Sequence, residues 1–249
     1  MVTFGQVDQL RYHSAFEQEA FAENNSFKIL LAADSEVDQA KYNLYREDLN
    51  SLIQKLSKYA DKRTTISTAE KAFYYTHKNL LHDYDKYVTL GDMFESGKYD
   101  CLTGTALYGL ILQALEIPFE IYEFENHVML MAHIDDASVL IESTDPLMGF
   151  ETEANHIRAR FQKLGNSQSG EMNAKSISSQ NPLDLSGVVN KISLKQITGL
   201  QYYNLAIKAY NNNELLLAQD YLDKAQYLYK SERMDKTLQF FDENIVAQN

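Results

Sequence analysis

The chain has 249 residues, 45% of them apolar, with 23 Lys and Arg against 35 Asp and Glu, a net charge of −12. That length suits one large domain or two small ones, and the apolar content lies far above the disordered range. The charge excludes nucleic acid and an anionic membrane surface as main partners, because phosphate binding needs clustered Lys and Arg; the single Cys excludes a disulfide framework and a Cys-rich zinc site.

Met1–Gln6 reads either as the tail of a trimmed export signal, with small Thr3 and Gly5, or as an ordinary N-terminus. The first implies a periplasmic or secreted protein, the second a cytoplasmic one. No stretch approaches the roughly 18 consecutive apolar residues of a membrane helix, so no span is expected. Residues 1–34 show no clear period despite an apolar cluster at Phe27–Ala33. From Ser35, apolar residues from Val37 to Leu56 recur at helical spacing. Ser67 and Glu70 fit a capping box opening a helix with Phe73, Tyr74, His77, Leu80 and Leu81. Asp85–Tyr99, with Gly91 and Gly97, reads as loop.

Asp100 suits a helix cap, and Cys101–Leu115 carries no charged residue. A helix apolar around its whole circumference is buried on every side. It ends before Ile117-Pro118, since the residue preceding Pro disfavours helix. Phe119–Phe124, His127–Ile134 and Val139–Thr144 read as strands, the last two joined as a hairpin. Thr152 suits the cap of a helix over Glu153–Leu164. Gly165–Pro182 is rich in Ser, Asn, Gln and Gly and reads as linker or loop. Leu194–Tyr210 and Glu214–Leu228 then form two helices across Asn211-Asn212-Asn213, with a last helix from Glu232.

A Cys in the first turn of a buried helix meets unpaired N–H groups and the positive end of the helix dipole, which favour a thiolate. The same groups can face an oxyanion in acyl transfer. Such a thiol needs a base, and the base an orienting carboxylate. His127 and Asp145 are the candidates. If Asp135–Ala137 is the hairpin loop, paired positions sum to about 272 and His127 lies opposite Asp145. A two-residue loop would instead put the two on opposite faces. His133 lies roughly 20 Å further along the strand and cannot serve the same site. Asp135 and Asp136 sit at the wrong end.

Gly97-Lys98-Tyr99-Asp100-Cys101, Ala106-Leu107-Tyr108, Leu115-Glu116-Ile117-Pro118, Asn126-His127-Val128 and Glu142-Ser143-Thr144-Asp145-Pro146 together resemble the transglutaminase-like superfamily over residues 65–150. The resemblance implies an α+β, papain-like fold, a buried Cys helix packed on an antiparallel sheet. It implies thiol chemistry on the amides of a peptide or protein: Cys101 as nucleophile, His127 as general base and acid, Asp145 as orienter. The Trp or Gln that often completes the family's oxyanion site is not matched, as the chain has no Trp. Tyr84, Tyr87 and Tyr99 are open substitutes. Tyr202, Leu205, Ala206, Tyr210, Ala218, Leu222 and Ala225 resemble a tetratricopeptide repeat, which implies a protein partner at these helices; the other reading is a generic helical hairpin packed on the main domain, and a single repeat predicts no peptide groove. The organisation implied is a leader over 1–34, a transglutaminase-like domain over 35–165, a linker over 166–192 and tetratricopeptide-like helices over 193–249.

The other reading is a catalytically inactive scaffold that keeps the fold for protein interaction. No Gly-rich phosphate loop or His-Glu-x-x-His pattern is present, and no cofactor or metal is expected. His77 and His82 are five apart on a helix, off the one-face spacing, and read as structural or exposed. His156 lies on a solvated face beside Arg158 and Arg160. Asn126 reads as a turn residue beside His127.

Overall fold

The computed structural model describes residues 10–58, 65–134, 136–166 and 190–246. In chain order the elements are α1 (Ala15–Glu23), α2 (Ser26–Ala32), α3 (Gln39–Ser57), α4 (Ile66–Leu80), β1 (Asp83–Tyr84), α5 (Leu90–Ser96), β2 (Lys98–Tyr99) and α6 (Cys101–Ala114). There follow β3 (Phe119–Glu123), β4 (Val128–Ile134), β5 (Ala137–Ile141), β6 (Phe150–Glu151), α7 (Ala154–Asn166), β7 (Asn190–Ile192), α8 (Leu194–Asn211), α9 (Leu215–Leu228) and α10 (Glu232–Val246). The mixture is α+β, as expected. Among the described residues no helix is long and apolar enough to cross a membrane.

The chain divides into two compact units. One holds Asp48–Tyr84 and Asp100–Ser193. Its centre is a five-stranded sheet in the order β6-β5-β4-β3-β7, antiparallel at every pairing. Helix α6 packs on β4 and β3. Tyr108 of α6 is fully buried, stacks on Phe73 of α4 and donates its hydroxyl proton to the Phe73 carbonyl at 2.9 Å. A second apolar cluster joins Tyr122, Met129, Met131 and Leu140 of the sheet to Ile157 and Phe161 of α7. Helical spacing in α7 and period-two alternation in the strands bring these residues together.

The other unit holds Met1–Glu47, Asp85–Tyr99 and Leu194–Asn249. Its α8 and α9 form the expected helical hairpin. Small residues allow the close crossing: a Cβ on Gly199 would lie 2.7 Å from Tyr229 Cβ. Ala206, Ala218 and Ala225 are wholly buried. Tyr202 and Lys224 meet Glu17 of α1 in the interior, and Gln201 donates to the Leu30 carbonyl of α2 at 2.8 Å.

Several expectations need correction. Compactness does not follow boundaries at residues 34, 165 and 192: α1 and α2 belong with the C-terminal helices rather than to a leader. Those two helices start at side-chain caps, Ser14 and Asn25, and are too short to display a period. Within 166–192, Asn190–Ile192 is an edge strand paired to β3; residues 167–189 lie outside the described residues, as do Met1–Gln6. Asp85–Tyr99 is not all loop. Thr89 and Asp92 form a capping box that opens α5, and Gly97 closes it at φ 75°. Thr65, not Ser67, caps α4.

Candidate functional site

Cys101 is the first residue of α6 and is half-buried. The Asp100 carboxylate accepts from the Thr103 amide at 2.9 Å, and the Thr103 hydroxyl sits 2.9 Å from the Asp100 amide. This reciprocal capping box fixes the first turn. It is made by residues 100 and 103, so the thiol one residue into the helix is left at the amide-rich end.

His127 lies just before β4, after a tight turn in which the Phe124 amide donates to the His127 carbonyl. Its ring is hydrogen-bonded to Cys101 and, through Nε2 at 2.5 Å, to Glu142 Oε2. Burial opposes protonation of this imidazole. The bonds to Cys101 and to the Glu142 carboxylate outweigh it and raise the pKa to about 10. Glu142 follows β5 and is 6% exposed. Burial works against its charge as well, but His127 and Thr144 hold its pKa below the ordinary value. Its Oε1 accepts from the Thr144 hydroxyl at 2.7 Å and the Thr144 amide at 3.0 Å. The acid next to the base is therefore Glu142.

Asp145, expected in that place, is engaged elsewhere. Its carboxylate accepts from Arg160 Nη2 at 2.8 Å and from the Met148 amide at 2.9 Å. The reason is one residue of register. Ile134 pairs with Ala137 and Leu130 with Ile141, so the hairpin connection has two residues instead of three. Asp136 in it takes φ 65°, a left-handed conformation that Asp tolerates in two-residue hairpin turns. Continuing that ladder, Glu142 falls diagonal to His127 on one side, and Asp145 falls on the opposite side. The extra methylene of Glu over Asp spans the diagonal. The signal in the sequence was the Asp135-Asp136 pair, read as a two-residue turn.

The remaining histidines do not join the site. His133 pairs with Ser138 and lies 3.5 Å from Glu120; His156 is exposed and 3.0 Å from Glu151. His82 is exposed, whereas His77 is buried against Phe73, its pKa lowered by that burial. Asn126 is exposed. Of the tyrosines, Tyr84 is half exposed in the same unit as Cys101, while Tyr87 and Tyr99 belong to the other unit. Among the described residues no group of three or more His, Cys, Asp or Glu could hold a metal ion. Comparison with protein-family models, with curated proteins and with solved structures gives no match.

Proposed function

We propose that the protein is a cysteine-dependent amide hydrolase or acyltransferase with a papain-like, transglutaminase-like catalytic unit, acting on a peptide or protein. The relay Cys101–His127–Glu142 carries this reading: a thiol at a helix N-terminus, an imidazole whose pKa that thiol helps to raise, and a buried carboxylate on the ring's Nε2. The packing of α6 on the antiparallel sheet supports the same fold assignment.

In this mechanism the Cys101 thiolate attacks the amide carbonyl, and the amides at the start of α6 face the resulting oxyanion. His127, protonated at rest, gives its proton to the leaving amine as the C–N bond breaks and the thioester remains. Water then gives a proton back to His127 and attacks the thioester, releasing the acid and restoring the thiolate–imidazolium pair. Glu142 holds the ring orientation and its positive charge throughout. An amine in place of water would complete transfer; hydrolysis is the reaction proposed.

The test is iodoacetamide labelling of the full chain, followed by mass spectrometry at mildly acidic pH. Labelling at least about tenfold faster than a free cysteine thiol is expected, and it should collapse to the free-thiol rate in His127→Ala. Slow labelling in the parent chain, unchanged by that substitution, favours the inactive scaffold.

A further inference from the structure

We infer that Thr144 is a positioning residue, its hydroxyl fixing the Glu142 carboxylate so that Oε2 faces His127. This rests on the relay proposed above. A glutamate side chain has three rotatable bonds, and its terminal torsion is soft. The backbone does not by itself direct either oxygen to the imidazole. In this site Oε1 is occupied twice by Thr144, through the hydroxyl at 2.7 Å and the amide at 3.0 Å, leaving Oε2 for His127 Nε2. Glu142 is 6% exposed, so bulk water is a poor substitute for either donor. The backbone on both sides is held as well. The Glu142 amide donates to the Gly149 carbonyl at 2.8 Å, and the Asp145 amide to the Glu142 carbonyl at 3.3 Å. The side-chain torsion is thus the remaining freedom, and the Thr144 hydroxyl, the shorter of the two bonds on Oε1, limits it together with the amide.

The consequence is electrostatic. Each donor on Oε1 stabilises the carboxylate in its charged form, and a charged, correctly turned Glu142 keeps His127 protonated. A purely local role, closing the turn after β5, would affect folding stability and leave the imidazole alone.

NMR titration of histidine-labelled full chain distinguishes these, with the His127 signal assigned by its loss in His127→Ala. The parent should titrate at about 10. Thr144→Val keeps the amide but loses the hydroxyl, and should bring the His127 midpoint down by about one unit. Thr144→Ser should restore it. Thr144→Ala makes the same deletion without a branched side chain, should Thr144→Val fail to fold. Glu142→Gln should lower the midpoint further than either. An unchanged midpoint in both hydroxyl deletions, with a fall in Glu142→Gln, overturns the role of Thr144 and leaves the relay standing. A parent His127 that titrates near 6.5 overturns the relay and this inference together.

Discussion

A protonated imidazole in a largely buried position is unfavourable unless anions or acceptors surround it. At His127 the compensation comes from two partners, Cys101 and the Glu142 carboxylate, the latter on Nε2. The sign of the titration follows. With its pKa raised to about 10, His127 keeps its proton through neutral pH, so in the proposed mechanism loss of the imidazolium should set the alkaline limb of turnover, any acid limb belonging to the thiolate. Asp145→Asn separates the two carboxylates. Its partners are Arg160 and the Met148 amide, so it should leave the His127 midpoint in place, whereas Glu142→Gln should move it toward 6.5. A large shift in Asp145→Asn would return that residue to the relay. Cys101 and His127 were legible in the sequence because each depends on a local feature, a helix start and a strand start. The acid was not. Its identity turns on the parity of a hairpin loop, and a one-residue change exchanges every side chain between the two faces.

At the scale of elements, the segment from Glu142 to Gly149 is what turns β5 toward β6 and presents the acid. Its tightness is visible at Gly149. A Cβ there would lie 2.2 Å from the Glu142 carbonyl oxygen and 2.4 Å from that of Asp145. Both are backbone atoms and cannot swing aside. Gly149→Ala should therefore destabilise by about 1–3 kcal/mol, a fall in Tm of roughly 2–10 °C for a chain of this size, and should lower the His127 midpoint along with it. A variant with unchanged Tm would mean that the turn is looser than these distances imply. The cap of α6 makes a separate prediction. Asp100→Ala removes a buried acceptor from the Thr103 amide, and about 1–2 kcal/mol of stability should go with it, read by thermal unfolding. Elements with long periodic patterns or a charge-free run, α4, α6, α8 and α9, could be read from the sequence. The short ones could not. Helices α1, α2 and α5 span 9, 7 and 7 residues and depend on caps more than on a repeating face. Strand β7 is a three-residue edge whose pairing to β3 is set by tertiary contact.

At the scale of the whole molecule, one of the two units is assembled from three separated stretches of chain. That could not be read from local pattern, because its key contacts join distant residues of opposite polarity. Lys224 of α9 is fully buried and donates to Glu17 of α1, 207 residues away, at 2.9 Å. Tyr202 donates to the same carboxylate at 2.8 Å, and the ammonium lies over the rings of Tyr12, Tyr202 and Tyr221. Burial lowers the Lys224 pKa, and Glu17 opposes that shift. A buried pair of this kind adds little net stability over an apolar replacement, yet removing one partner strands the other charge. Lys224→Met should therefore cost about 3–5 kcal/mol, seen as a lower midpoint in thermal unfolding of the full chain. Adding Glu17→Gln removes the stranded charge. The single amide oxygen can still accept from one of the two remaining donors, the Tyr202 hydroxyl now on Oε1 or the His13 amide now on Oε2 at 2.7 Å. The double variant should accordingly be more stable than Lys224→Met alone, a coupling that independent sites do not show. Simple addition of the two losses would mean that the ammonium and carboxylate are each solvated separately, and that the long-range closure of this unit rests on its aromatic packing instead.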